Sequence, residues 1–426
     1  MLAGSVLVSL SGSTVIVTGD NADNDISITE EAGIVTVAGN NDTTINGSEE
    51  AFVLDLSDAN VRNIKAKLNG GDDVVDIVVS DTFSVGRDVS IDLGSGNDTL
   101  NIAGPDDAAN LIGDDLIIRG RSGNDSVNVE GFGIRDDLSF SGGSGNDRFS
   151  MSAMSVGDDV RISTSGGNDT VFVDDVPELD GISEEGNTIG DDLSIRTGGG
   201  NDFIDVAANS IGDDVRINSG SRNDDVLLDD NEIGDDASIL TGAGNDVLAA
   251  EDNAITDNVR ILTGSGADGV LLFNNDVGGN VTGSLGSGND GLASGDNTVG
   301  GRLSITGSSG TDSLVTSGDD AVDGRVRVRS FATVLAEGVS VDLTATTDDQ
   351  TPITIPVPSE LAGTVPFGEA SVADPGSLGA TVDVNEDGSI TYTPAADGED
   401  AIIVEYSFNG VVILTVNVAV TVTVAA

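Results

Sequence analysis

The residues best suited to chemistry are aspartates held at one phase of a long repeat. They are Asp73, Asp98, Asp125, Asp147, Asp169, Asp202, Asp224, Asp246, Asp268, Asp290 and Asp312. From Asp125 onward each step is 22 residues, except for one of 33 between Asp169 and Asp202. Seven of these aspartates close a Gly-Asn-Asp turn, as in Gly145 to Asp147. Carboxylates are hard oxygen donors, and glycines ahead of them let the backbone turn carbonyls inward. That combination suits a calcium ion.

Stacking makes the question sharper. Residues of equal phase in neighbouring coils of a β-stack lie about 4.8 Å apart. Two carboxylates about 5 Å apart repel by roughly 0.8 kcal/mol in water and by about 3 kcal/mol at an effective dielectric near 20. Seventeen Lys and Arg face 74 Asp and Glu, too few cations to pair every rung. The carboxylates must therefore fan into water, take up protons or share cations. The expected answer is Ca2+ shared between coils at the eleven aspartates.

Two further markers run in phase. "IGDDL" at Ile112 recurs as "VGDDV" at Val156, "IGDDL" at Ile189, "IGDDV" at Ile211 and "IGDDA" at Ile233. These turns carry acid without the glycines, so solvated turns are expected there. Asn187, Asn209, Asn231, Asn253, Asn275 and Asn297 form an unbroken series. Stacked amides are expected to bond to each other and to turn backbone.

The elements that position these markers are short strands. Each repeat holds apolar-alternating runs such as Val215-Arg216-Ile217 and Val226-Leu227-Leu228, separated by Gly, Asn and Asp. Alternation predicts strands with one buried face, and nothing reads as a helix. A coil of 22 residues cannot bury its own apolar face, so coils must stack. The predicted fold is all-β: a parallel β-helix (β-solenoid) of about 22 residues per coil, followed by a small β-sandwich. Residues 1–80 read as irregular capping coils, 81–342 as the regular solenoid, and 343–426 as a linker plus sandwich. Insertions of the repeat fall at Gly104 to Asn110 and at Val176 to Gly186.

Composition excludes several functions. The net charge is −57, which repels nucleic acid and anionic membranes and attracts cations. There is no Cys and no His, which rules out disulfides, thiolate nucleophiles, imidazole bases and Cys/His zinc sites. No run of 18 apolar residues occurs, so no membrane-inserted helix is expected. The opening "MLAGSVLVSLSG" lacks a basic n-region, so a leader is expected to be absent from this sequence.

Two resemblances follow from the motifs. "GGSGNDRFS", Gly142 to Ser150, fits the G-G-x-G-x-D-x-U-x consensus of RTX calcium-binding repeats at every fixed position. "TGGGNDFID" at Thr197 and "TGAGNDVLA" at Thr241 miss only the first Gly. The resemblance implies Ca2+ at the turn aspartates. The spacing departs from the family, which runs nonapeptides back to back and lines both edges with ions; one turn per 22 residues leaves one edge. Val382 to Phe408, "VDVNEDGSITYTPAADGEDAIIVEYSF", resembles the cadherin-like or Ig-like repeats of large secreted bacterial proteins. It departs by lacking the usual Phe and Gly between its two strands.

These features predict a secreted or cell-surface, calcium-binding structural or adhesive repeat protein, with calcium and cell-surface or matrix components as partners. It is not expected to be an enzyme. The alternative is a polysaccharide-acting β-helix lyase or hydrolase. Its best candidate site is the acidic insertion with Glu178, Asp180, Glu184 and Glu185, which lacks basic or aromatic groups to hold a charged sugar. An ice-binding face is disfavoured, because the outward residues Arg161, Ser194, Arg216, Ser238, Arg260, Thr282 and Ser304 form no regular threonine array.

Overall fold

A computed structural model describes residues 4–423, apart from 32–33, 56–60, 79–84, 105–111, 175–185, 317–319, 332, 337–342, 349–352, 356–368, 375–380, 386–389, 394–397 and 409–410. Both insertions of the repeat fall largely outside the described residues, as does most of the turn of the cadherin-like motif. The described chain is all-β with no helix, and its solenoid of about 22 residues per turn spans residues 64–329.

Each coil has three strands and three corners. In one coil these are Ser210–Ile211, Val215–Ser221 and Asp225–Asp229. Equivalent strands of successive coils pair in parallel, giving two 15-stranded sheets and a narrow 9-stranded sheet of two-residue strands. The register is strict: Val215 sits opposite Leu193 and Ala237, and Ile217 opposite Ile195 and Ile239.

The period of two along each strand builds the core. Val215, Ile217 and Ser219 face inward while Arg216 is exposed. Val226 and Leu228 face inward from the second sheet, and Ile211 and Ile233 from the third. The column continues through all coils as one hydrophobic core. Phe149 is fully buried and stacks on Phe140 with ring centroids 4.9 Å apart, as its alternation phase requires.

At the N-terminal end the pattern changes. Ser5–Ser11 pairs antiparallel with Thr14–Thr18, and Asp25–Glu31 with Ile34–Gly39, before Thr14–Thr18 and Asp25–Glu31 meet the first parallel coils. At the other end, Arg327–Arg329 is the last strand of the first sheet. Beyond it the chain forms a four-stranded and a three-stranded sheet from strands between Leu343 and Thr423.

Candidate functional site: the ladder corners

The glycine turn is shaped by backbone conformations that side chains resist. Gly143 and Gly145 have φ of 110° and 124°. A Cβ at Gly145 would lie 1.9 Å from the carbonyl oxygen of Gly123 in the neighbouring coil. Glycine therefore lets the coils stack tightly here without strain. It brings Asn146 to the outside and Asp147 to the inside of the same corner.

All eleven predicted aspartates are brought into one column, and every one is buried, at most 3% exposed. The option of fanning into water is thus eliminated. Oδ1 of each accepts the backbone N–H of the equivalent residue in the preceding coil: Asp73 donates to Asp98 at 2.8 Å, Asp125 to Asp147 at 3.0 Å, Asp169 to Asp202 at 2.8 Å and Asp290 to Asp312 at 3.1 Å. The first rung is an amide: the Asn24 backbone N–H donates to Asp73 Oδ1 at 2.7 Å, and its side-chain amide donates to the Ala22 carbonyl.

The other carboxylate oxygen has no such use. Oδ2 of all eleven aspartates is buried without a hydrogen-bond partner among the described residues. In eight rungs it faces the inward residue five positions earlier; at Asp73, Asp98 and Asp290 that position is a buried leucine, Leu68, Leu93 or Leu285. In three rungs that residue is glycine, and a Cβ at Gly120, Gly142 or Gly307 would lie 2.2–2.3 Å from it. In five others it is Thr164, Thr197, Ser219, Thr241 or Thr263, whose hydroxyls donate to the next coil's carbonyls at 2.7–3.4 Å.

Burial disfavours the charged carboxylate and raises its pKa, more than its hydrogen bonds lower it. Asp73, Asp125 and Asp290 are pushed up to about 7, and Asp98, Asp147, Asp224 and Asp246 to about 6. Asp169, Asp202 and Asp268 move in the same direction.

The remaining corners carry their own ladders. Beside the buried aspartates, exposed asparagines run the opposite way: Asn124 Oδ1 accepts the N–H of Asn146, and Asn146 Oδ1 that of Asn168, each at 2.7 Å. At the "GDD" corner, Asp137 accepts from Asp159 at 3.1 Å and Asp159 from Asp192 at 3.0 Å. Their second oxygens pair with arginine: Arg161 bridges Asp137 and Asp159, and Arg216 bridges Asp192 and Asp214. At the third corner the predicted asparagines are buried and saturated. The Asn231 amide donates to the carbonyls of Val206 and Asp229 and to Asn253 Oδ1, at 2.8–3.0 Å. Met154 opens this ladder and Asp320 closes it.

Among the described residues, no three acidic side chains converge on one point to hold a metal. Each glycine turn supplies one free carboxylate oxygen, so any cation there must be shared along the column.

Fold and corners together define the molecule as a β-solenoid stapled by stacked Asp and Asn ladders. No family model matches the sequence, and no curated protein or solved structure matches it either.

Proposed function

We propose that the chain is an extracellular structural and adhesive repeat protein whose coils are stapled by calcium shared along the aspartate column. The observation that carries this reading is the row of eleven buried Oδ2 atoms without partners. A buried carboxylate oxygen left unpaired is costly, and a row of them is costlier still. Hard oxygen donors fit a hard cation, and the glycines at 120, 142 and 307 let Oδ2 pack against the backbone where a Cβ would clash with it. Asp125, Asp147 and Asp169 would hold such ions between successive coils. A bound Ca2+ would supply positive charge that neutralises neighbouring rungs.

The RTX-like turns and the cadherin-like segment support an extracellular place and an adhesive use. The acidic surface fits a cation-rich medium. The reading is non-enzymatic, because the acids follow the repeat instead of standing out from it.

A second reading has its own support. The raised pKa values favour rungs neutralised by protons at mildly acidic pH. The two separate at alkaline pH, where protons are gone. Melting of the full chain at pH 8, with millimolar calcium and with chelator, tests the proposal. Calcium must raise the melting temperature, because ions bound only by the folded state stabilise it. Equal melting temperatures refute calcium stapling.

A further inference from the structure

The first sheet carries a groove of about 430 Å³ on its outer face, between the coils of Asp214 and Arg302. Arg216, Ser238, Arg260, Thr282 and Arg302 line it in coil order, and the carboxylates of Asp214 and Asp236 line its N-terminal end. Arg216 is tied to Asp192 and Asp214. No carboxylate among the described residues lies within ion-pair distance of Arg260 or Arg302, and both are exposed.

The corner ladder beside the groove changes sign along the stack. Its rungs are Asp214 and Asp236, then Asn258 and Asn280, then Arg302. The hydrogen-bond chain continues across the change from carboxylate to amide and ends at Arg302, whose backbone N–H donates to Asn280 and whose side chain has no acceptor. Arg325, Arg327 and Arg329 follow in the last coil, with Arg327 in register with Ser304 of the same sheet. A chain with 17 cations against 74 acids thus places guanidinium groups that have no ion pair among the described residues at the C-terminal end of one sheet.

We propose that this groove binds a linear carboxylated polysaccharide, one that bears a carboxylate on alternate sugars. Arg260 and Arg302, the two groove arginines without an ion pair among the described residues, stand nearly two coils apart. That spacing is about 10 Å. Guanidinium pairs with carboxylate in a two-pronged geometry, so sparse charges along a sugar chain fall on sparse arginines. Between them Ser238, Thr282, Asn258 and Asn280 offer hydroxyl and amide partners for sugar hydroxyls. A nucleic acid carries a charge about every 1.7 Å and gains from aromatic stacking, and the groove has neither that charge density nor an aromatic residue. The proposal names a surface for the adhesive part of the reading above and rests on that part. It does not depend on calcium.

The probe is a hyaluronan oligosaccharide, which has one carboxylate per disaccharide, titrated into the full chain in calcium and again in chelator. Binding is expected in both, at least about tenfold tighter than to neutral dextran. The variant carrying Arg260→Ser and Arg302→Ser should lose about tenfold in affinity, with unchanged melting because both side chains are exposed. Arg119→Ser, far along the same sheet, should leave binding unchanged. Retained affinity in the double variant, equal binding of dextran, or tighter binding of poly-glutamate or single-stranded DNA overturns the proposal. Loss of calcium stabilisation with binding intact would refute only the calcium reading.

Discussion

Asp147 accepts the backbone N–H of Asp125 through Oδ1 at 3.0 Å and buries Oδ2 without a partner. Its neighbour Asn146 reaches the other way, accepting the N–H of Asn168. One corner therefore clamps both adjacent coils, the buried residue backward and the exposed residue forward. Half of the buried clamp is a carboxylate in need of neutralisation, and that need drives the predictions.

Without calcium, stability should fall as pH rises. Asp73, Asp98, Asp125, Asp147, Asp224, Asp246 and Asp290 titrate near 4 when unfolded and near 6–7 when folded. A group whose folded pKa is raised holds extra protons in the folded state, so its contribution is full below about pH 4 and is lost as pH climbs through 6–7. Urea midpoints in chelator should drop between pH 5 and pH 8. A midpoint that rises over that window contradicts the buried column.

Asp147→Asn should stabilise the chelated chain at pH 8. The amide keeps an oxygen for the Asp125 N–H and removes the charge. The expected gain is about 1–3 kcal/mol, with a smaller response to calcium. Asp147→Ala should instead lose about 1–3 kcal/mol, because it orphans the buried Asp125 N–H. Thermal melting of both variants separates a charged rung from a purely hydrogen-bonding one.

Asn231→Ala should be severe. Its amide donates to two carbonyls and one side chain, and its Oδ1 accepts the Asn209 N–H and amide. Leaving several buried groups unpaired should cost more than about 3 kcal/mol, measurable as a lower urea midpoint. A loss below about 1 kcal/mol would mean that the ladder adds little.

Arg222→Gly should stabilise. Arg222 is exposed and sits at φ 82°, where the other turns have glycine. Relief of the left-handed conformation is worth about 1 kcal/mol, readable by melting.

The sequence carried the repeat plainly, because stacking copies each rung and leaves a 22-residue echo. Less legible was the direction of the aspartates. A signal existed: Asp147, Phe149 and Met151 alternate in phase, so a carboxylate in step with core residues must point inward. Thr164 shares its phase with Val160 and Ile162 in the same way. The opposed directions of the two ladders at one corner depend on backbone orientation within the turn, which residue types alone do not express. Gly269–Phe273, "GVLLF", is buried on both faces, and its unbroken apolar run is the trace of that. The arginine groove escaped notice because Arg302 belongs to the corner and Arg260 to the strand, and only the fold sets them on one face.

Calcium titrated into the chelator-treated full chain at pH 6.5, with released protons counted by pH-stat, tests the central claim most directly. The account predicts several ions bound per chain, with protons released as cations displace those held by the buried rungs. Absence of calcium uptake, or uptake without proton release, would contradict it.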